Sequence, residues 1–499
     1  MKIYDTFNEL NLSLNKFKNL TAKGPSGVPI YFFKNLDNTF KQTLLVIFNQ
    51  MLKFNYIPPE WKTSIITPIY KGSGGLNIIS NYRPISVTCI FSRILERIVH
   101  DRLLAHFINT NVLSKHQHGF RNGKNTLSNL METYNFVTNS LEMGRAVDIV
   151  YIDFAKAFDK VDIGKLLNKL NNLNTPPYLL GFLQNLLTGR FQRVSIRGVV
   201  SRLLPVLSGV PQGCVISPLL FNVYINDMLT LPLFSQIKSF ADDSKIFNLS
   251  DNYLKIQADL DSICKWCQLN SVFINVDKTK CVRFGKSDCP YEYSIDRKPI
   301  AKVDTIRDLG VNIDSKLSFK THCHDVVKRA NYLSYIVVRH FKFCDPKIKY
   351  FIFKMYVLPV IMNSIELYYP FTKTLKSYIE SIQRRFTKRI CPSGLTYEQR
   401  LRLLSASTIE SKHKIQLLLY MYKIDFVNLS IDGFNYERVK SSTRGSSHKI
   451  FLPFSRTNTR KHFPLLRFIS LWNNLSPTLR DLFSLAAFRR FLIGKVPEP

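Results

Sequence analysis

Three aspartates in two short apolar stretches are the residues of this chain best suited to chemistry. Asp153 lies near the end of the β-branched run "VDIVYIDF" (147–154), and Asp242 and Asp243 stand side by side in "SFADDSKIF" (239–247). Such runs predict strands or a tight hairpin, where adjacent carboxylates repel each other. A metal ion, a basic partner or an exposed turn could each relieve the repulsion, and a surface turn is the commoner explanation for an isolated Asp-Asp pair.

If the two strands pair, the three carboxylates meet at one point. Carboxylates are hard oxygen ligands that suit Mg²⁺, which binds a few of them together with substrate phosphates. Two such ions about 3.5–4 Å apart can activate an attacking 3′-oxygen and stabilise a departing pyrophosphate. The pattern therefore fits a site for two Mg²⁺ ions, or for Mn²⁺ in their place, that transfers nucleotidyl groups.

The elements that must position these aspartates alternate in type along the middle of the chain. "VDIVYIDF" and "FQRVSIRG" predict strands, whereas "LLFNVYINDML" and the segment around 254–268 have the apolar spacing of helices. Beyond about residue 315 the spacing is mainly helical, and "SSTRGSSHK" (441–449) predicts an exposed linker. The whole pattern predicts an α+β fold with a mainly helical, basic C-terminal part.

Charge and composition narrow the class of partner. The 499 residues include 69 Lys and Arg against 36 Asp and Glu, which gives a net charge of +33. This excess favours a polyanion, above all nucleic acid, with an anionic membrane surface as the weaker candidate. The 45% hydrophobic content excludes a mostly disordered chain.

The cysteines and the longest apolar stretch indicate an intracellular protein. The nine cysteines are scattered and odd in number, which argues against a disulfide framework. Cys264 and Cys267 share a helical stripe, so core packing explains this C-x2-C pair better than zinc. Residues 350–369 contain charges and Pro359, which favours a buried, interrupted helix over a membrane span. The N-terminus lacks a signal-peptide core. We expect a nuclear or cytoplasmic protein that is not secreted and has no membrane partner.

A series of motifs, in the same order along the chain, resembles the reverse transcriptases of non-LTR (LINE-type) retrotransposons, particularly the jockey-like elements. They run through nearly the whole chain, so agreement by chance is negligible. The motifs are "KGPSGVP", "TPIYKGSG…NYRPISV", "QHGFRNGKNTL", "IDFAKAFDKVD", "SGVPQGCVISPLLFNVYIND", "FADD", "INVDKTK", "DLGVNID", "SIQRRFTKRI", "YEQRL" and "SLWNNLSP".

The resemblance implies a right-hand polymerase fold made of fingers, palm and thumb. Its expected parts are an N-terminal extension with an entrance loop (1–60), fingers (61–145), a palm that carries the active site and part of the fingers (146–285), the primer grip and helical thumb (286–390), and the basic C-terminal region (391–499).

The resemblance also implies the catalytic roles. Asp153, Asp242 and Asp243 would be catalytic metal ligands, with the backbone carbonyl of Phe154 as an extra ligand. Lys278 in "DKTK" would be the general acid for the leaving pyrophosphate. Lys280 is the alternative assignment, and a solvated turn lysine is the alternative role for either.

Other residues would bind substrates. Phe158 would lie under the incoming sugar and exclude a ribose 2′-OH, unless it simply packs in the core. Lys71 and Arg83 would contact the triphosphate, with solvated surface charge as their alternative. The remaining expected nucleotide contacts are Gln212 and Gly213, and the expected template or primer contacts are Gly209, Pro211, Leu309 and Gly310.

The implied function is RNA-directed DNA synthesis from a 3′-OH primer with dNTPs, in target-primed reverse transcription. The expected partners are an RNA template and a DNA primer or target. Since the sequence shows no endonuclease signature, we also expect a separate endonuclease or an element-encoded RNA-binding protein. The alternative is a truncated or non-catalytic retroelement remnant that binds RNA without polymerising.

Overall fold

The computed structural model describes residues 6–72, 74–287, 291–426, 437, 449–480, 482 and 484–495. Most of the linker predicted at 441–449 lies outside the described residues.

The first part of the chain is three helices, a β-hairpin and a long helix. Its elements are α1 (Phe7–Lys16), α2 (Ile30–Lys34), α3 (Asn38–Phe54), β1 (Thr63–Tyr70), β2 (Tyr82–Val87) and α4 (Ile90–Asn109). Helix α3 begins where the Asp37 carboxylate accepts a hydrogen bond from the Phe40 amide at 2.7 Å, and it ends at Asn55 in the left-handed conformation. Both features are standard helix caps.

The middle of the chain alternates helices and strands. Its elements are α5 (Thr126–Glu142), β3 (Val147–Ile152), α6 (Ile163–Asn172), α7 (Pro177–Leu187), β4 (Arg190–Ile196), β5 (Val199–Val200), β6 (Leu204–Val206), α8 (Ser217–Tyr224), β7 (Gln236–Phe240), β8 (Asp243–Leu249), α9 (Tyr253–Leu269) and β9 (Lys280–Phe284).

The last part has five short strands followed only by helices, as the sequence predicts. The strands are β10 (Ser294–Ile295), β11 (Lys298–Pro299), β12 (Ala301–Lys302), β13 (Thr305–Asp308) and β14 (Val311–Asp314). The helices are α10 (Lys320–His340), α11 (Pro346–Tyr356), α12 (Leu358–Met362), α13 (Ile365–Tyr368), α14 (Lys373–Ile390), α15 (Tyr397–Leu403), α16 (Ile409–Phe426), α17 (Asn458–Lys461), α18 (Pro464–Asn473), α19 (Pro477–Arg480) and α20 (Leu485–Lys495).

The central sheet has the strand order β12-β9-β3-β8-β7. Strand β3 lies in the middle and pairs antiparallel with both β8 and β9. Five of its six residues are buried, so its side chains do not alternate between apolar and polar. The one buried charge, Asp148, accepts a hydrogen bond from the Arg283 guanidinium at 2.7 Å. The α+β class predicted from the sequence is confirmed.

A second five-stranded sheet combines two distant segments of the chain. Strand β1 pairs antiparallel with β2 and parallel with β4, and β4 also pairs with β5 and β6. Residues 190–206 therefore complete a sheet that begins at residue 63.

The C-terminal helices pack against the same body. The guanidinium of Arg460 donates hydrogen bonds to the side-chain oxygens of Asn135 (2.8 Å) and Thr138 (3.0 Å) on α5. The Thr457 amide donates to the Glu142 carboxylate at 2.9 Å. These contacts fix the segment around α17 to the helix that covers the central sheet.

Of two expectations about buried segments, one is confirmed in full and the other in part. Cys267 is buried in the core with Ile263, and Cys264 packs against the same cluster. The stretch 350–369 is interrupted as expected, into α11, α12 and α13, with Pro359 in the first turn of α12. It is only partly buried, because Phe351, Met355 and Tyr356 are more than half exposed. Among the described residues, no helix is both long and apolar enough to cross a bilayer.

Candidate active site

The paired aspartates lie at the tip of the β7–β8 hairpin. Phe240 pairs with Asp243, so Ala241 and Asp242 form a two-residue connection. Two-residue hairpin loops favour a positive φ at their first residue, and Ala241 has φ +56°. A non-glycine residue in this region costs roughly 1–2 kcal/mol, so the surrounding structure must hold the turn in place.

Gln117 and Gly119 hold that turn. The side-chain oxygen of Gln117 accepts hydrogen bonds from the amides of Gly119 (2.7 Å) and Ala241 (2.9 Å). A Cβ on Gly119 would lie 2.4 Å from the Ala241 nitrogen, so only glycine allows this approach. Both residues belong to the motif "QHGFRNGKNTL", but the motif alone indicates no role for either. Only the fold shows what the "QHGF" spacing does.

Strand pairing brings Asp153 to the same edge of the sheet. In the β3–β8 register Ile152 lies opposite Ser244, so Asp153 follows β3 just where Asp243 begins β8. The pairing of the two strands predicted from the sequence is confirmed.

The backbone beyond β3 continues into a second pairing. The Asn275 amide donates to the Asp153 carbonyl oxygen at 2.8 Å, and the Ala155 amide donates to the Phe273 carbonyl oxygen at 2.8 Å. These two bonds flank Phe154 and use neither its N–H nor its carbonyl. The Phe154 carbonyl, predicted as an extra metal ligand, therefore accepts neither of these two hydrogen bonds.

The three carboxyls share an environment that raises their pKa values. Burial raises the pKa of Asp153, and burial together with the Asp153 charge raises that of Asp242. The pKa of Asp243 rises to about 6, first through desolvation and then through the charges of Asp242, Asp308 and Asp153. The repulsion expected from the sequence is present in the fold.

The donor set fits hard divalent cations. Clustered carboxylates whose charged forms are disfavoured by burial and by one another are stabilised when a cation binds between them. Within the described ranges, however, no three His, Cys, Asp or Glu side chains already form a group able to hold a metal ion. The metal site therefore stays a prediction.

Three predicted cations act electrostatically on these carboxyls, and the ammonium of one of them, Lys71, also donates to the Ser80 carbonyl oxygen at 2.7 Å. The Lys278 and Lys71 ammonium groups act to lower the pKa of Asp153, and the Arg83 guanidinium does the same for Asp242, in each case against the larger effect of burial. Lys280 points elsewhere, because its ammonium donates to the Asp277 carbonyl oxygen at 2.7 Å. This geometry favours Lys278 over Lys280.

The predicted substrate loop lies between the turn after β3 and strand β2. The Gln212 side-chain amide donates to the Asp159 carboxylate at 3.0 Å, and its backbone carbonyl accepts from the Ser86 amide at 2.7 Å. Gly209 has φ +84°, and a Cβ there would lie 2.7 Å from the Asp159 carbonyl oxygen. Gly213 has φ +105°.

A cavity of about 600 Å³ adjoins this loop, and Pro211 and Gln212 are among the residues that line it. Phe158, next to the loop, is half-buried. Its ring stacks on Phe221 with centroids 4.3 Å apart. One face of the Phe158 ring is therefore used in packing against Phe221, as the packing alternative expects.

The predicted primer-grip residues form the turn of the β13–β14 hairpin. Asp308 pairs with Val311, and the two residues between them, Leu309 (φ +44°) and Gly310 (φ +90°), are both left-handed. A positive φ at both positions is the signature of a type I′ hairpin turn.

A buried ion pair beside this turn links it to the aspartate hairpin. The Lys245 ammonium donates to the Asp308 carboxylate at 2.5 Å, and the Tyr134 hydroxyl donates to the same oxygen at 2.9 Å. Lys245 lies two residues after Asp243 on β8, and both members of the pair are buried. Neither residue was predicted from the sequence, because a lysine within a strand is normally expected to be solvated.

Comparison with known proteins identifies the family. The family model described as "Reverse transcriptase (RNA-dependent DNA polymerase)" matches residues 69–334. The chain belongs to the reverse transcriptase family. The match includes the three aspartates, the three cations and both hairpin turns of the site, and it confirms the reverse transcriptase resemblance predicted from the motifs.

Similar curated proteins come from insect mobile elements. The RNA-directed DNA polymerase from mobile element jockey of Drosophila melanogaster is 28% identical over 415 residues, which are 78% of this chain and 45% of that protein. The probable RNA-directed DNA polymerase from transposon X-element of the same species is 29% identical over 57% of this chain and 32% of its own length. These relatives confirm the jockey-like, non-LTR affinity. The reverse transcriptase chain spans less than half their length.

Telomerases are among the solved structures that align with part of this chain. The apo telomerase from Candida tropicalis aligns with a TM-score of 0.42 at 10% identity, over 79% of this chain and 69% of that one. The telomerase from Candida albicans in complex with a fragment of telomeric RNA gives a TM-score of 0.37 at 14% identity, over 76% and 68% of the two chains.

The first prediction concerns the carboxylate repulsion. Because the folded-state pKa of Asp243 is about 6, above the usual carboxyl value of about 3.9, the folded state binds this proton more tightly. Stability should then fall as pH rises from about 4 to about 6. Asp243→Asn should stabilise the metal-free protein at pH 8 by about 1 kcal/mol, after allowance for solvent screening at this partly exposed group, and by nothing below pH 4.

Thermal melting with and without Mg²⁺ measures this effect. Mg²⁺ should raise the melting temperature of the wild type and leave Asp243→Asn nearly unchanged. Asp251→Asn, at an exposed aspartate just beyond the opposite end of β8, is the control and should behave as the wild type. An equal Mg²⁺ response in the wild type and in Asp243→Asn would count against a metal site here.

The second prediction concerns the buried ion pair. Lys245→Met would leave the Asp308 carboxylate buried without its cation and should destabilise the protein by about 3–5 kcal/mol in urea unfolding. The double variant Lys245→Met/Asp308→Leu should recover most of that loss, since apolar replacement of a buried pair is often neutral. Lys328→Met, at an exposed lysine of α10, is the control. Wild-type stability in the single variant would refute the pairing.

Proposed function

We propose that this protein is an RNA-directed DNA polymerase that extends a 3′-OH primer on an RNA template with dNTPs, as in target-primed reverse transcription. The observation that carries the proposal is the meeting of Asp153, Asp242 and Asp243 at one edge of the central sheet, close enough to three cationic side chains to feel their charge. That combination suits nucleotidyl transfer, because carboxylates can hold divalent cations while lysine and arginine bind phosphates.

The proposal includes a division of the chain into the regions of a right-hand polymerase. We assign the fingers to 61–145, the palm to 146–285, the primer grip and thumb to 286–390, and the flanking regions to 1–60 and 391–499. The parallel pairing of β1 with β4 supports placing part of the fingers within the palm segment.

The three aspartates and the Phe154 carbonyl would hold two Mg²⁺ ions, with Mn²⁺ as an alternative. Bound there, divalent cations would stabilise negative charge on the attacking 3′-oxygen and on the leaving pyrophosphate. Lys71 and Arg83 would bind the triphosphate. Lys278, which faces Asp153 from an exposed turn, would donate a proton to the pyrophosphate.

The neighbouring loops would position the nucleic acid. Gly209 and Gly213 let backbone approach closely, and we assign Gly209 and Pro211 to the template and Gln212 and Gly213 to the nucleotide. The Leu309–Gly310 turn would support the primer end. The anchoring of this turn through Asp308 to β8 would keep primer and carboxylates in a fixed relation.

The partners follow from charge and chemistry. The net charge of +33 suits an RNA template together with a DNA primer or target, and binding should weaken steeply with salt. Because its DNA target lies in the nucleus, the protein would copy RNA there after being synthesised in the cytoplasm. A separate endonuclease or an element-encoded RNA-binding protein would be a further partner.

The third prediction concerns polymerase activity itself. The purified full chain should extend oligo(dT) on poly(rA) with dTTP and Mg²⁺, and Asp242→Asn should reduce the extension rate by about 10³-fold or more, or ~4 kcal/mol of barrier. Removal of Mg²⁺ with a chelator should abolish extension. Asp251→Asn is the control and should retain wild-type extension.

Failure to extend the primer would distinguish the polymerase from its alternative. A folded wild type that binds RNA but does not extend the primer would exclude the polymerase and leave the RNA-binding remnant as the function.

The fourth prediction tests the sugar contact. Phe158→Ala should lower the preference for dTTP over UTP by about 10- to 100-fold, because a smaller side chain leaves room for a 2′-OH. The ratio of kcat/KM values for the two nucleotides measures this preference independently of the amount of folded enzyme. Phe221→Leu alters the stacked partner of Phe158 without removing the ring itself, and should change the ratio far less. An unchanged ratio in Phe158→Ala would assign Phe158 to packing alone.

A further inference from the structure

A cavity of about 680 Å³ opens in the C-terminal half, between helices α14, α16 and α18 and the segment 451–455. All of its lining residues lie between 369 and 471, so the central sheet contributes none of them. The residues on which the inference rests are Phe371, Lys376, Lys414, Phe451, Phe454 and Lys461.

The cavity presents aromatic rings to solvent. Phe454 is 87% exposed and Phe451 is 57% exposed. On another wall Phe371 stacks on His462 with ring centroids 4.8 Å apart and planes 2° apart. Exposed aromatic residues gathered at a cavity mark a binding surface, because a protein rarely leaves such apolar area in water without use.

Cations stand among these rings. The ammonium groups of Lys376 and Lys414 lie 3.5 and 3.4 Å from the Glu410 carboxylate, which is the acidic side chain of the lining. Lys461 is exposed. Arg467 donates to the Tyr369 carbonyl oxygen at 2.5 Å, and although burial lowers its pKa to about 10, it stays cationic at neutral pH. The lining therefore carries an excess of positive charge.

A buried histidine adds unsatisfied polar groups. His413 lines the cavity, is only 3% exposed, and neither ring nitrogen has a hydrogen-bond partner within the described residues. Its ring stacks on Tyr369 at 4.1 Å. Buried polar groups without partners are uncommon and call for a functional explanation, such as a ligand.

We propose that this cavity binds single-stranded nucleic acid, with bases stacked on Phe451 and Phe454 and phosphates held by Lys376, Lys414 and Lys461. Proteins bind single strands without sequence preference by stacking bases on aromatic side chains and holding phosphates with nearby cations. This works for any sequence because every base has a flat face and every nucleotide carries a phosphate. The inference deepens the proposed polymerase function, on which it rests, by giving the enzyme a second contact with a strand outside the catalytic site.

Photo-crosslinking tests the site independently of catalysis. The full chain with Asp242→Asn is mixed with short oligonucleotides that carry 5-iodouracil, as RNA in one arm and DNA in the other, and crosslinked residues are mapped by mass spectrometry. Crosslinks are expected at Phe451 or Phe454. If both arms crosslink equally the site accepts either sugar, and if one dominates it identifies the strand that the site prefers.

Variants then test the two kinds of contact. Phe451→Ala/Phe454→Ala should reduce crosslinking to the remaining cavity residues and weaken oligonucleotide binding by about 10-fold or more. Lys461→Gln, at an exposed position that should not affect folding, should reduce the slope of log affinity against log salt by about 1. Phe343→Ala, at a ring 96% exposed elsewhere on the surface, and Lys342→Gln are the matched controls.

The outcome separates this proposal from the polymerase proposal. Crosslinks that map only outside the cavity, or variants that bind with wild-type affinity and salt slope, would overturn the proposal, and the cavity would then be open to a protein partner. Because the crosslinking uses a catalytically silenced chain, a failed primer extension would leave its result unchanged. Extension by the wild type with no crosslink in the cavity would refute this site alone.

Discussion

Mutual repulsion among three carboxylates is the constraint on which the active site depends. Pairing of β3 with β8 places Asp153 beside Asp243, and the hairpin turn places Asp242 next to both. Each charge raises the cost of ionising its neighbours, so the three ionised carboxylates destabilise the fold relative to neutral side chains at the same positions. The protein must obtain the missing stability from the rest of its structure.

That stability comes from contacts on the far side of the turn. The Gln117 side chain and the bare backbone of Gly119 hold Ala241 in its left-handed conformation. Two residues along β8, the Lys245–Asp308 pair fixes the same strand to the β13–β14 hairpin. The carboxylates are thus held by backbone and buried polar contacts that a change in their own protonation would leave in place.

The sequence was informative wherever a role depends on residue type and local pattern. Asp153, Asp242 and Asp243 could be singled out because an apolar run next to a carboxylate has no simple packing purpose, and the strands that carry them follow from their β-branched residues. The roles of Gln117, Lys245 and Asp308 could not be found in this way. Their contacts join residues more than 60 positions apart, and only the register of the sheet decides which side chains meet. The domain boundaries and the metal ligands stay predictions. They depend on how distant segments of the chain and the metal ions come together, which a local sequence pattern does not determine.

The sheet shared by β1 and β4 has a consequence for how the chain acquires its structure. Thr63 pairs with Phe191, so β1 keeps an open edge until the ribosome has delivered the whole segment that contains β3, α6 and α7. Pairings of such separation form late, and an unpaired edge strand is a template for association with other chains. During synthesis, β3 is therefore complete before β4 can cover the open edge of β1. In that interval the nascent protein is exposed to aggregation or to capture by a chaperone.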